Sequence, residues 1–468
     1  MSSTPITKTD LDPIYQGGVT AFAEDFKHGK ISSEEITRQY LERIKNFDEQ
    51  LGAFEYVNYE AAIKTARAMD ALRNSGFYLG PLMGVPIAIK DIFLIDGMPY
   101  PNVGSNMELP DILGEEEGPF IKALKTAGCV ILGSTKTVEF CLGITGISAP
   151  RGTPWCSSDL QNKRFPGGSS SGSGVAVGAN LCMFAIGSDS GGSIRIPAAF
   201  NGVFGLKTTF GLWPTDGAFP LDKTVDSIGL ITQTAKDARL IFNTLSLKLC
   251  PDFEIDNTPE VDLKQIKLGL PSNHFGEGLS EAVQKTFTQA NNTLESAGVD
   301  FESLHLPGAE ERKDYFPITM PAYLLAILGT ERFLTNKDNM DPVIATRIES
   351  GLNVEAHKYL ALIEQREKSI AAAHKAMQSF DAIVSPTATI EPPLVSDASD
   401  PVKGLSLALG MTQNTQPANY LELCAVSLPI PRDGLPIGYQ LISRPNNEAA
   451  LLNLSVAIED LFNQQSKS

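Results

Sequence analysis

The residues most able to do chemistry are concentrated between positions 167 and 193, where glycine and serine dominate and charge is almost absent. Glycine and serine weaken the interior of helices and strands, so this composition predicts tight loops. An apolar run over residues 181–186 predicts a buried strand between two glycine-serine turns. Such turns bring backbone N–H groups close to a substrate and hold hydroxyls in unusual positions. The stretch is therefore a candidate catalytic segment.

Ser193 is the candidate nucleophile of this segment. It follows Asp189-Ser190-Gly191-Gly192 and precedes a helix-like run over residues 194–200. Successive glycines let backbone N–H groups converge on one point, as an oxyanion hole requires. The alternative is a serine that caps a helix after a glycine turn, which is the more common event at this spacing. One residue can serve in both ways.

Lys90 is the candidate base. It ends the run GVPIAIK, which contains no other charged residue. Burial disfavours the ammonium form, lowers the pKa of the amine and makes a neutral base available. The alternative is an ion pair with the adjacent Asp91, which pattern alone favours. The five histidines all lie outside the motif segments, so a Ser–His–Asp triad is not expected.

The serine-rich block resembles the amidase signature family of serine hydrolases. The resemblance continues directly into IRIPAAFNGVFGLKTTFG, which follows Ser193, and extends from about residue 30 to the C-terminus. The central block is highly specific. The remaining segments are supportive, namely GVPIAIKD (84–91), GSTKTVEF (133–140), DAIVSPTA (381–388) and GLPIGYQL (434–441).

The resemblance implies a role for each site residue. Lys90 would be the base, Ser193 the nucleophile, and Ser169 the proton relay that follows a cis peptide bond. The oxyanion hole would be built from the N–H groups of Ser190, Gly191, Gly192 and Ser193. Ser170 would hydrogen-bond beside the relay, whereas Asp189 and Arg195 would brace the nucleophile loop. The residues alone do not distinguish Ser169 from the next two serines.

Short predicted strands alternate with predicted helices, which favours an α/β fold with helices on both faces of the sheet. The resemblance implies one large, twisted, mixed central sheet. We expect residues 1–75 to form a helical segment packed on the core, and residues 76–468 to form a single domain. Within that domain, we expect residues 250–380 to form a mostly helical region that covers the site. We expect substrate specificity to come from segments 143–148, 310–360 and 414–424.

Composition limits the partners. The chain has 468 residues, 42% of them hydrophobic, and a formal net charge of −17. No basic run reaches five residues, so direct nucleic-acid binding is not expected. None of the six cysteines forms a CxxC pair, and the apolar runs are too short to span a bilayer. These features predict a cytoplasmic protein without stable membrane insertion, and its oligomeric state is left open, with a homodimer as one option.

The predicted activity is hydrolysis of a C–N bond, in an amide or a carbamoyl or urea-type group of a small molecule, through an acyl-enzyme on Ser193. The alternative is the A subunit of a tRNA-dependent amidotransferase, which acts as a glutaminase within a complex. No metal or organic cofactor is expected, because histidine and cysteine never cluster at ligand spacing.

Overall fold

A computed structural model describes residues 6–109, 112–255, 261–399 and 401–465. Within these ranges all the strands belong to one sheet. The strands are β1 (Phe54–Val57), β2 (Pro86–Lys90), β3 (Val130–Thr135), β4 (Phe184–Asp189), β5 (Phe204–Lys207), β6 (Ser227–Thr232), β7 (Lys267–Pro271), β8 (Asp300–Leu304), β9 (Ala382–Pro386), β10 (Cys424–Pro429) and β11 (Gly438–Ser443).

The sheet is mixed and has eleven strands in the order β1-β3-β2-β4-β6-β5-β10-β11-β9-β7-β8. Strands β2, β3 and β4 run parallel to one another, whereas the central pairs from β4 to β9 are antiparallel. Every residue of β2, β3, β4, β6 and β11 is buried. Because successive side chains point to opposite faces, both faces of the sheet are covered. The predicted fold class is confirmed.

The helices of the described ranges surround this sheet. They are α1 (Gly18–Lys27), α2 (Ser33–Leu51), α3 (Tyr59–Asn74), α4 (Pro119–Thr126), α5 (Ser171–Gly178), α6 (Arg195–Asn201), α7 (Ala235–Leu249), α8 (Glu281–Ser296), α9 (Arg312–Leu328), α10 (Thr330–Asn336), α11 (Pro342–Ser350), α12 (Ala356–Ala376), α13 (Pro401–Met411), α14 (Gln416–Tyr420) and α15 (Glu448–Gln465). No helix among the described residues is long and apolar enough to cross a membrane.

Two regions that were predicted to be helical or mostly helical also contribute strands to the sheet. The N-terminal segment, residues 1–75, contains strand β1, which pairs with β3 at one edge. The predicted cover, residues 250–380, supplies β7 and β8 at the opposite edge as well as helices α8 to α12. These short edge strands carry exposed positions, so their burial pattern resembles that of a loop.

The sheet register brings candidate residues together at the carboxyl ends of three neighbouring strands. Lys90 is the last residue of β2, and it lies opposite Thr135, the last residue of the parallel strand β3. Asp189 ends β4, the parallel neighbour of β2 on the other side. The carboxyl ends of neighbouring parallel strands form the usual location of a ligand site in an α/β sheet.

Candidate active site

Lys90 is fully buried, and its amine lies among hydroxyls. Its Nζ atom lies 2.8 Å from Oγ of Ser169 and 2.8 Å from Oγ of Ser188. Among the described residues no carboxylate oxygen lies within 4.0 Å of this amine. The Asp91 carboxylate instead accepts the N–H of Asn102 at 3.0 Å. The alternative of a Lys90–Asp91 ion pair is therefore wrong.

Burial lowers the pKa of Lys90 below its ordinary value of 10.5. The Cys141 thiol and the Asp226 and Asp189 carboxylates act in the opposite direction but are weaker. The net effect is to favour the neutral amine, which is the form that can accept a proton.

Three consecutive serines that the sequence could not separate have different partners. The peptide bond between Gly168 and Ser169 is cis, and only Ser169 contacts Lys90. The Ser170 hydroxyl donates to the carbonyl of Ser188 at 3.2 Å. The Ser171 hydroxyl donates to the carbonyl of Lys136 at 3.3 Å, outside this cluster. The hydroxyl beside the amine is therefore that of Ser169.

Ser193 lies on the loop between β4 and α6 and is 6% exposed. Its carbonyl accepts the N–H of Ser170 at 3.2 Å, which joins this loop to the three serines at 169–171. The loop over residues 190–194 is called the nucleophile loop after the role predicted for Ser193. The N-cap of α6 is Ile194, and it makes no side-chain capping bond, so the interpretation of Ser193 as a helix cap is wrong. The described contacts contain no hydrogen bond between the Ser193 and Ser169 hydroxyls.

Asp189 and Arg195 brace the nucleophile loop from inside. Both side chains are fully buried, and they form an ion pair at 2.9 Å. Although burial would raise the pKa of Asp189, the Arg195 guanidinium holds it well below its usual range. The same carboxylate accepts the N–H groups of Gly192 at 2.7 Å and Ile194 at 3.1 Å. Asp189 thus caps the start of α6, a role that the sequence analysis gave to Ser193 only as an alternative.

The remaining donors of Arg195 are also occupied. Nη1 donates to the carbonyl of Thr415 and to Oε1 of Gln440, each at 2.8 Å, and Nη2 donates to Oδ1 of Asn419 at 2.6 Å. A guanidinium with these contacts has its donors engaged inside the protein. This geometry favours the bracing role over direct contact with an acidic substrate.

The predicted oxyanion hole needs one correction. The N–H of Gly192 is donated to Asp189, so it is not available to a substrate. Among the described contacts, the N–H groups of Ser190, Gly191 and Ser193 have no protein acceptor. Gly192 has a different importance: its φ is +125°, and a Cβ there would lie 2.3 Å from Oγ1 of Thr415. Only glycine fits this position without displacing its neighbour.

Sequence reasoning missed several residues that hold the site. Ser188 contacts Lys90 directly, and Asp226 accepts a short hydrogen bond from the Ser190 hydroxyl. Burial raises the pKa of Asp226 to about 7. Thr415 and Asn419 hold the loop from helix α14 and the turn before it. Ser188 could have been found from its place one residue before Asp189, but no local pattern marks the other three.

The described residues contain no group of three or more histidine, cysteine, aspartate or glutamate side chains that could hold a metal ion.

Comparisons with known proteins show which family the chain resembles. Residues 35–452 match the family model described as Amidase. The chain is 31% identical to the 2-amino-5-chloromuconic acid deaminase of Comamonas testosteroni, covering 89% of each protein. It is 33% identical to the A subunit of the glutamyl-tRNA(Gln) amidotransferase of Moorella thermoacetica, covering 92% of this chain and 93% of that one.

A solved structure described as an amidase superimposes with a TM-score of 0.85 at 25% identity, over 95% of this chain and all of that one. The family match and the shared fold agree with one another. The chain belongs to the amidase signature family and is an amidohydrolase of C–N bonds.

Proposed function

We propose that this protein hydrolyses a linear amide, or a carbamoyl or urea-type C–N bond, of a small molecule through an acyl-enzyme on Ser193. The observation that carries the proposal is the position of Lys90, which is fully buried, without a carboxylate partner among the described residues, and 2.8 Å from Ser169. An amine that is buried beside hydroxyls and away from carboxylates has the surroundings of a general base.

The first half-reaction forms the ester. Neutral Lys90 accepts the proton of the Ser169 hydroxyl while Ser169 accepts the proton of Ser193. The Ser193 oxygen then bonds to the amide carbon, and the N–H groups of Ser190, Gly191 and Ser193 stabilise the negative oxygen. When the C–N bond breaks, the proton returns through Ser169 to the leaving nitrogen. The amine departs, and the acyl group remains on Ser193.

The second half-reaction restores the enzyme. Water gives a proton to the same relay and its oxygen bonds to the acyl carbon. The C–O bond to Ser193 then breaks, and the serine oxygen takes back a proton as the carboxylic acid leaves. Atoms balance without a cofactor, since the net change is amide plus water to acid plus amine.

A steady-state assay on a panel of small amides, aryl amides and carboxy-ureas tests the proposal. We expect the purified chain to hydrolyse at least one class, and Ser193→Ala and Ser169→Ala to abolish that turnover. The matched control is Ser171→Ala. It removes a hydroxyl that donates to the backbone carbonyl of Lys136 and does not contact Lys90. Turnover that survives Ser193→Ala would refute the acyl-enzyme.

A second candidate function is the glutaminase component of a tRNA-dependent amidotransferase. It is favoured by the 33% identity to the A subunit of such an enzyme over almost the whole of both chains. In that case the chain would release ammonia from glutamine within a complex. A partner would have to bind the tRNA, because this chain has a net charge of −17.

A further inference from the structure

Arg312, at the start of α9, is a buried cation that has no carboxylate partner among the described residues. It is 5% exposed. Its guanidinium contacts three neutral groups: Nε2 of His274 at 3.2 Å, Oγ1 of Thr412 at 3.3 Å and Oε1 of Gln416 at 2.5 Å. Among the described residues no carboxylate oxygen lies within 4.0 Å of it. Glu277, the carboxylate that influences it from further away, is paired with Lys313 at 4.0 Å.

The histidine contact does not satisfy the guanidinium. Nε2 of His274 also lies 2.8 Å from the carbonyl of Gln413, and a carbonyl can only accept a hydrogen bond. Nε2 therefore carries the hydrogen and cannot also accept one from Nε of Arg312. The other ring nitrogen, Nδ1, is buried and has no partner within the described part of the chain. Nε of Arg312 is thus left without a good acceptor.

An isolated buried charge is costly, and proteins normally pair it. Two other buried arginines of this chain follow that rule: Arg195 is paired with Asp189, and Arg366 with Glu422. Buried Lys207 instead donates to two backbone carbonyls, those of Thr208 and Leu423. The described contacts of Arg312 include neither a carboxylate nor a backbone carbonyl, so an anion from outside the chain would supply its counter-charge. A carboxylate fits a guanidinium best, because two parallel hydrogen bonds form.

A single side chain, that of Gln416, lies between Arg312 and the nucleophile loop. Gln416, which accepts the hydrogen bond from Arg312, packs against Gly191: a Cβ at Gly191 would lie 3.2 Å from Cγ of Gln416. Met320, about two turns along α9 from Arg312, approaches the same point, with its Cε atom 3.8 Å from the Cβ position. Arg312 and Gln416 also fall in the two segments, 310–360 and 414–424, that the sequence analysis expected to set specificity.

We infer that Arg312, oriented by Gln416, binds a carboxylate of the substrate, so that the preferred substrates are amides that also carry an acid group, such as monoamides of short dicarboxylic acids. The inference rests on the proposed function and names the substrate class of that site. The acid group would neutralise the guanidinium while the amide carbonyl lies over Gly191 and Ser193. Neutral amides of the same length would lack this contact.

The test compares each monoamide of a four- to six-carbon dicarboxylic acid with the aliphatic amide that lacks the acid group. We expect wild-type kcat/KM to favour the acid, and Arg312→Gln to reduce that preference by roughly 10- to 150-fold, the range of a charged hydrogen bond. The loss should lie in KM. Arg312→Lys should recover part of it. Lys313→Gln removes the same charge from the adjacent exposed residue and should leave the preference unchanged.

Gln416→Glu provides a second test that keeps the arginine. It places a carboxylate beside Arg312 within the protein, so we expect a higher Tm and loss of the acid preference. Direct binding supplies a readout without turnover: calorimetry should detect succinate or adipate on Ser193→Ala and not on the variant that also carries Arg312→Gln.

The outcomes separate the two proposals. Equal kcat/KM for acid and neutral amides in the wild type, or an equal loss in Arg312→Gln and Lys313→Gln, would overturn the inference and leave the hydrolase intact. Dicarboxylate binding that depends on Arg312, without hydrolysis of any amide, would support the inference and refute the proposed hydrolysis.

Discussion

At the scale of single residues, the central feature is an amine held among hydroxyls instead of carboxylates. Lys90 has Ser169 and Ser188 at 2.8 Å each, and burial is the largest influence on its pKa. A carboxylate at that distance would have kept the ammonium form and removed the base. The surroundings thus decide the chemistry of a residue that is usually a solvated cation.

Replacement of this amine gives the first prediction. Lys90→Met should lower kcat/KM by about 10²- to 10⁴-fold, the usual contribution of a general base, without unfolding the protein. In the wild type, activity should rise with pH through the pKa of Lys90, since the neutral amine forms above it. Because burial lowers that pKa, the rise should occur below 10.5. A pH profile of kcat/KM that is the same in both proteins would contradict the role.

Ser188 gives the second prediction, as a positioning residue for Lys90. Ser188→Ala removes one hydrogen bond from the amine, so kcat should fall by roughly 2- to 13-fold, in line with a neutral hydrogen bond. The acid limb of the pH profile should also shift, which a purely structural change would not produce. Ser188→Thr keeps the hydroxyl and should restore both. An unchanged pH profile in Ser188→Ala would show that Ser169 alone orients the amine.

At the scale of elements, the nucleophile loop depends on parts of the chain that are distant in sequence. Its core is the buried Asp189–Arg195 pair, which is held by Thr415, Gln440 and Asn419. The loop therefore becomes rigid only when α14 and β11 are in place. Removing one partner leaves an uncompensated buried charge.

The third prediction concerns this pair. Arg195→Met should lower the free energy of unfolding by about 3–5 kcal/mol, because Asp189 keeps a buried charge. The control is Arg38→Met, which breaks a partly exposed pair with Glu34 and should cost less than about 1 kcal/mol. Urea unfolding of both variants measures the difference. Equal costs would mean that the buried pair does not brace the loop.

Local patterns explain which parts of the site could be predicted. Lys90 is marked by its charge at the end of the apolar strand β2, and Ser193 is marked by the glycines before it. The resemblance to the family then selected Ser169 among the three serines. The partners of Arg195 could not be predicted in the same way, because Thr415 lies 220 residues further along and Gln440 lies 245. The edge strand β1 was also missed, since it has only four residues and its burial does not alternate cleanly.

At the scale of the whole molecule, the sheet joins both ends of the chain into one scaffold. Strands β2 and β4 supply Lys90 and Asp189, whereas β10 and β11 come from the last fifty residues. The predicted cover, residues 250–380, then adds helix α9, which carries buried Arg312 and approaches the loop of Gly191 through Met320. An active site assembled from so many regions needs the complete fold before any activity is present.

The fourth prediction distinguishes a stand-alone enzyme from a component of a complex. The purified chain should hydrolyse small amides without any added protein, and its activity should elute with a single species in size-exclusion chromatography with light scattering. The measured mass also decides between a monomer and a homodimer. Glutamine hydrolysis that needs a second protein would favour the amidotransferase role instead.

The most direct test of the account is the rate at which a fluorophosphonate labels Ser193, followed by peptide mass spectrometry in the wild type, Lys90→Met and Ser169→Ala across a range of pH. We predict one adduct, on Ser193, whose rate in the wild type rises with pH as the buried amine loses its proton, and labelling at least 100-fold slower in both variants. Labelling of another residue, or equal rates in all three proteins, would contradict the proton relay.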